Sequence, residues 1–342
     1  MRGLCSCGNR ERRTRKVIVK LEDIGFYTLN DTRARAASFT SPLMRCELII
    51  TDKCNFKCPY CRGLRSDLKG AISKEDGIAI IDMWTSQGLE NIRFSGGEPT
   101  LHSSLGYFVS RAKESGVERI AVSTNGTATP EKYKELVSLG VNDFSISLDA
   151  CCASTAEVMS GGIKTWDRVT ENIRMLSGLT YTTVGVVITE DNLSEIERTM
   201  EFAASLSVSD IRIIPSAQYG SRIGKNLPHM TNPKYPILAY RMKNLSMGLA
   251  LRGISDDSCH KCGLALDDMA VAGGYHFPCI IYMREGGNPI GKMEEGFREK
   301  RLEWYKNHDT HTDPICKGNC LDVCVAYNNT FQSFVDNGEK MI

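Results

Sequence analysis

Long apolar runs are missing from this sequence: no stretch approaches the ~18 residues of a membrane span, which argues against a membrane protein. The first residues are basic, MRGLCSCGNRERRTRKVIVK. The apolar segment of ~7–15 residues that a secretory signal needs does not follow them. Charge of one sign is also missing. Lys and Arg number 42 against 41 Asp and Glu, leaving a net +1, so no global field draws the chain to nucleic acid or an anionic membrane. Low-complexity tracts are absent, and the remaining composition, 42% apolar and 24% charged, is that of a globular protein. A cytoplasmic location is therefore expected, where thiols stay reduced.

What stands out instead is cysteine, 14 in 342 residues. Disulfide scaffolds are usually short secreted chains with more than ~8–10% cysteine, so this chain is too long and too dilute. Cysteines in such a chain are more often metal ligands or catalytic thiols. At ~150 residues per domain, the length predicts one large domain and a smaller unit.

From residue 45 the pattern becomes regular. Short β-rich runs at 46–51, 91–95, 119–123, 143–148, 182–189 and 210–214 alternate with helical periodicity near 74–87, 103–115, 130–139, 166–177 and 193–206. Ser73 before Lys74-Glu75-Asp76, and Thr129 before Pro130, read as helix caps. Six such units need parallel strands with right-handed crossovers. They fall short of the ~250 residues of a closed eight-stranded barrel, so an α/β fold is expected, either a partial barrel or an open sheet. The rhythm stops after residue 215. A polar loop at 216–233 (Gly220, Gly224, Pro228, Pro233) leads to a helix-like stretch at 234–246. Residues 255–330 read as short-stranded, loop-rich and cysteine-dense. The expected division is an N-terminal extension (1–44, with a short element at 24–29), a barrel (45–235) and a small metal-held domain (236–342).

The strongest motif is Cys54-Asn-Phe-Lys-Cys58-Pro-Tyr-Cys61, directly after the first strand. Three thiolates there can close on one metal centre at the strand end, where α/β barrels keep their sites. A structural zinc takes four ligands, whereas three cysteines on a [4Fe–4S] cluster leave one iron open. Taken singly, the cysteines are half a zinc site and the glycine motifs are turns. Together they resemble the radical S-adenosylmethionine (SAM) superfamily over residues 45–330. The supporting motifs are Tyr60 before the third cysteine, Gly96-Gly97-Glu98-Pro99 after the second strand, Ser123-Thr124-Asn125-Gly126 after the third, Gly185 in the fifth, and Ile213 to Pro215 in the sixth.

The resemblance implies a partial (β/α)6 TIM barrel in which Cys54, Cys58 and Cys61 hold a SAM-binding [4Fe–4S] cluster. It assigns Tyr60, Gly185 and Ile213 to the adenine. Gly96, Gly97, Glu98 and Pro99 fall to the methionine amino group, and Ser123, Thr124 and Asn125 to ribose and carboxylate. It also implies reductive cleavage of SAM to a 5′-deoxyadenosyl radical, fed by an external one-electron donor such as flavodoxin or ferredoxin.

Cys259, Cys262 and Gly274-x4-Cys279 resemble the start of the SPASM/twitch extensions of that superfamily, and Cys316, Cys320 and Cys324 resemble their tail, with the late element shortened. One auxiliary [4Fe–4S] cluster is expected, with a structural zinc site, held by four cysteines or by three cysteines and His260 or His276, as the rival. Cys46 reads as core, Cys5 and Cys7 as free thiols, and Cys151-Cys152 as packing or as a thiol facing substrate. Asp267, Asp268 and Asp322 are weak candidates for bases, and Arg222 and Arg284-Glu285 for an anion grip. The basic run Arg10–Lys20 lacks interleaved aromatics, so a nucleic-acid partner is not expected.

The expected substrate is a small molecule or peptide undergoing oxidation, rearrangement or coupling. A peptide-modifying maturase is one alternative, although residues 1–44 are short and polar for a leader-binding domain. The other is a non-catalytic iron–sulfur or zinc protein that binds a nucleic acid or protein partner.

Overall fold

The computed structural model describes residues 31–68, 70–218 and 234–339. Cys5, Cys7, the basic run 10–20, the element at 24–29, Arg222 and most of the loop 216–233 lie outside the described residues.

After a short helix α1 (Asp31–Ala36), the chain alternates β1 (Arg45–Thr51), α2 (Lys74–Thr85), β2 (Asn91–Gly96), α3 (Leu105–Glu114), β3 (Arg119–Thr124), α4 (Pro130–Leu139) and β4 (Asp143–Ser147). Then come α5 (Ala153–Met159), α6 (Trp166–Ser177), β5 (Tyr181–Ile188), α7 (Ile196–Ser205), β6 (Asp210–Pro215) and α8 (Pro236–Ser246). Both expected caps form: Ser73 Oγ accepts from Asp76 N at 3.0 Å, and Thr129 Oγ1 from Lys132 N at 3.3 Å.

β1 to β6 pair in order, all parallel, so every strand points its C-terminal end at one edge. Strand side chains alternate between faces. One face sends Leu48, Ile92, Phe94, Val122, Phe144, Val184 and Ile213 into a fully buried core. The other is polar and ion-linked. Arg93 donates to Ser123 Oγ (2.8 Å) and approaches Asp143 (3.7 Å), while Arg212 donates to Ser145 and to Thr183 Oγ1 (3.0 Å). The apolar core packs under the crossover helices, and the polar face carries Glu47, Ser95, Ser123 and Arg212 toward one cavity.

The last third contributes β7 (Asp268–Ala272), β8 (Tyr275–Phe277), α9 (Ile280–Arg284), β9 (Gly291–Lys292), α10 (Phe297–Asn307), α11 (Pro314–Asn319) and α12 (Asp322–Asp336). The loop-rich expectation for 255–330 is thus corrected, since much of this region is helical. β7 joins β1 in parallel, and β8 and β9 follow antiparallel. The nine-stranded sheet β6-β5-β4-β3-β2-β1-β7-β8-β9 stays open, as a partial barrel does. Among the described residues no helix is long and apolar enough to cross a membrane.

Candidate active site

The loop after β1 carries Cys54, Cys58 and Cys61 to the C-terminal edge of the sheet. Its turn closes through Cys61 N–H to Cys58 O (3.0 Å), and Lys57 N–H reaches Ser160 O (3.0 Å). Amides aim at the sulfurs, Phe56 N at Cys54 Sγ and Gly63 N at Cys61 Sγ, both 3.4 Å. Burial pushes the Cys58 thiol up to about 12 and raises Cys54 as well. A coordinated cation reverses that preference, because a ligating thiol is deprotonated outright.

Beside this loop, Gly96 and Gly97 pass so close to it that a Cβ on either would lie 2.2 Å from Thr51 O or Lys53 O. Only glycine permits that approach. Glu98 is fully buried. One carboxylate oxygen accepts from Thr100 Oγ1 (2.6 Å) and Thr124 Oγ1 (2.8 Å), the other from Asn125 N (2.7 Å). Glu98 therefore ties the end of β2 to the end of β3, and burial raises its carboxyl despite these donors. Asn125 extends the tie by donating to Asn55 Oδ1 at 2.7 Å. Tyr60 OH donates to Asp149, whose other oxygen accepts from Val187 N at 2.7 Å.

These strand ends surround one cavity of about 390 Å³. Nine of the residues expected from sequence line it: Cys54, Cys58, Tyr60, Cys61, Gly97, Ser123, Thr124, Asn125 and Gly185. Gly96, Glu98, Pro99 and Ile213 do not. Ile213 points to the helix-side core, and its neighbours Arg212 and Ile214 face the cavity, the one-residue alternation of a strand. The wall is completed from the last third by Ile280, Arg284, Leu321 and Val323.

Around a zinc ion with Zn–S near ~2.3 Å, thiolates stand ~3.8 Å apart. Among the described residues, the groups with three ligand atoms within 4.8 Å are Cys151–Cys152–Glu195 and His308–Asp313–Cys316. Cys54, Cys58 and Cys61 do not form such a group. Nor do any three of the late cysteines, although Cys320 and Cys324 touch through their side chains. All six of them (Cys259, Cys262, Cys279, Cys316, Cys320 and Cys324) line one small cavity of about 40 Å³. Cys279 caps α9, with Tyr282 N at 3.4 Å from its sulfur, and Asn328 Nδ2 lies 3.6 Å from Cys262 Sγ. Burial raises Cys259 to about 11 and Cys262 to about 12.

Neither expected histidine lines that cavity. His260 pairs with Asp309 (3.1 Å) and stacks on His311. His276 is buried against Arg301 (3.2 Å), and burial depresses it to about 3. The histidine beside the cysteines is His308, with Nε2 at 3.4 Å from Cys316 Sγ. His308 was missed, although its spacing eight residues before Cys316 was in view.

Cys46 is core, and Cys151 and Cys152 are not among the cavity-lining residues. Asp267, Asp268 and Asp322, the weak candidates for bases, are buried in ion pairs with Arg33, Arg45 and Arg241, and none of the three lines the cavity.

The family model described as Radical SAM superfamily matches residues 48–203. Curated relatives include a probable GTP 3′,8-cyclase of Saccharolobus solfataricus, 29% identical over 180 residues, which are 52% of this chain and 58% of that protein. One from Sulfurisphaera tokodaii is 24% identical over 52% of this chain and 56% of its own length. The matched part thus spans under three-fifths of these relatives. Among solved structures, Streptococcus suis SuiB bound to precursor peptide SuiA superposes with a TM-score of 0.56 at 14% identity, covering 81% of this chain and 66% of that one. Native anSMEcpe with bound AdoMet gives 0.56 at 14% identity, covering 87% and 100%. At such identity these likenesses describe the fold.

Proposed function

From the match of residues 48–203 to the Radical SAM superfamily model we propose that the chain is an enzyme that cleaves SAM and abstracts hydrogen from an anionic small molecule. The observation that carries this reading is the convergence of nine motif residues, from the ends of β1, β2, β3 and β5, on one cavity. When bound, SAM and the [4Fe–4S] cluster supply a 5′-deoxyadenosyl radical. Cys54, Cys58 and Cys61 would hold three irons and leave the fourth to the methionine group. Gly97 would offer its backbone to that group from the cavity wall, while Gly96 lets the cluster loop pack against the end of β2. Glu98 acts from behind, fixing Thr124 and the Asn125 amide at the cavity wall. Tyr60, held by Asp149, would pack on the adenine opposite Gly185. Arg284, Leu321 and Val323 close the cavity toward water.

Charge favours an anion as substrate. Arg212, Arg241 and Arg284 line the cavity, against the two carboxyls Glu47 and Asp149, which burial pushes upward. The late cysteines would hold an auxiliary [4Fe–4S] cluster beyond the Ile280–Arg284 wall. An external flavodoxin- or ferredoxin-type donor would supply the electron, in the cytoplasm. Nucleotide substrates are supported by the names of the curated relatives, GTP 3′,8-cyclases.

The test is anaerobic reconstitution, dithionite reduction and chromatography for 5′-deoxyadenosine, with nucleoside triphosphates, other organic anions or short peptides added. Product formed and stimulated by an anionic small molecule is expected. No product from a cluster-loaded chain would refute the enzyme reading, and stimulation by peptides alone would transfer it to a peptide maturase.

A further inference from the structure

A third set of ligand atoms lies outside both cysteine centres, where the loop after β4 meets the turn after β5. The sulfurs of Cys151 and Cys152 and a Glu195 carboxylate oxygen lie within 4.8 Å of one another, with Cys151 Sγ 3.8 Å from Glu195 Oε2. The two segments are held together independently of these side chains. Asn192, fully buried, donates to Asp149 O and Val187 O (both 2.8 Å) and accepts from Thr189 N (2.8 Å). The ligand atoms therefore converge on a frame that is already fixed.

The cavity wall does not include either thiol, which sets aside a role toward substrate. A disulfide between them is disfavoured by geometry. The peptide joining them is trans, as the described chain has no cis bond, so their Cα atoms stand ~3.8 Å apart, inside the ~4.4 Å lower limit of ordinary disulfides. Two sulfurs and a carboxylate suit zinc, at ~2.3 Å to sulfur and ~2.0–2.2 Å to oxygen. Closing from 4.8 Å to zinc spacing needs movements of about 1 Å, within reach of half-buried side chains. Arg198, close enough to act on Cys151, offsets the negative charge of the ligand set.

We propose that Cys151, Cys152 and Glu195 bind one zinc ion, with water as fourth ligand, as a clasp between the loops that follow β4 and β5. Binding releases the two thiol protons to solvent and involves no redox change. The clasp sits two residues beyond Asp149, the carboxylate that holds Tyr60, so it steadies the adenine side of the radical cavity from outside.

The test uses the full chain after anaerobic iron–sulfur reconstitution, titrated with Zn2+ against a chromophoric chelator, with zinc and iron both counted. Wild type should take one zinc per chain with its iron unchanged and up to two protons released. C151S and C152S should take none. E195Q, which leaves both thiols in place and keeps the test meaningful if the serine variants misfold, should bind about tenfold more weakly or worse. Cobalt substitution should give a sulfur-to-metal charge-transfer band that C152S loses. The proposal is overturned if wild type takes no zinc, if C152S and E195Q bind it as wild type does, or if zinc enters only as iron leaves.

Discussion

Asp149 concentrates several demands on one carboxyl. It is half-buried at the cavity wall, accepts from Tyr60 and from Val187 N, and desolvation pushes it up to about 6. The unfolded value is ~3.9, so the folded chain holds this proton the more tightly. Its stabilisation is complete below about pH 4 and is lost as pH rises through about 6. The shift corresponds to about 3 kcal/mol at most. Asp210, also raised to about 6 by burial, acts in the same direction. The denaturant midpoint of the cluster-free chain should therefore fall between about pH 4 and 6, and D149N should remove part of that slope, leaving the Asp210 share. A midpoint that rises across this window would contradict the burial argument.

Among the elements, α9 joins the two centres. Cys279 caps its start, and Arg284 in its last turn donates to Gly63 O (2.9 Å) and Gly96 O (2.8 Å), carbonyls beside the cluster loop and in the glycine motif. Glu285 pairs with Arg62 at 2.7 Å, and Arg65 donates to Gly286 O and Gly287 O. Hydrogen bonds from a charged donor contribute ~1.5–3 kcal/mol each. R284A should thus weaken SAM binding about tenfold while the iron content stays constant, read by equilibrium titration and the cluster's EPR response to SAM. R284K should rescue only partly, since an ammonium lacks the two-pronged geometry. Unchanged affinity in R284A would show that α9 merely packs.

The six strands and the five expected helices were legible to within three residues because one face of each is apolar with a clean period, whereas the short α5 (Ala153–Met159) was not expected. α10 was not, because its inward face carries Arg298 and Arg301. Arg301 is almost fully buried and donates to Ala265 O (2.7 Å) and Phe277 O (3.0 Å), so the residue that anchors this helix reads as surface in a sequence. α11 and α12 were masked in another way. Cys316, Cys320 and Cys324 were read only as a ligand pattern, and their spacing runs across the break at Cys320–Leu321 that separates the two helices. Of the SAM-site residues, Ile213 was placed one position out of phase with the cavity. Arg284 was read only as a possible anion grip, because its partners Gly63 and Gly96 lie far away in sequence, whereas His308 was overlooked although Cys316 follows eight residues later.

For the whole molecule, two cysteine sets facing two cavities predict about eight irons per chain after reconstitution. Replacing Cys54, Cys58 and Cys61 by alanine should leave about four irons and no SAM cleavage. Replacing Cys262 and Cys279 should leave the other ~4. Loss of all iron in either variant would mean that the centres assemble as one.

The same sheet runs through both cysteine-bearing regions, since β1 is paired on one side by β2 and on the other by β7. That pairing was invisible to local pattern because Arg45 meets Asp268, roughly 220 residues later. It also sets a timetable for synthesis. At ~5–20 residues per second, one side of β1 waits about 10–45 s after emerging before its partner exists. For that interval the nascent chain carries an apolar strand with an open hydrogen-bonding edge, the feature by which strands capture one another. Yield of soluble protein should therefore depend on translation speed and chaperone supply, and the vulnerable period ends only when β7 leaves the ribosome.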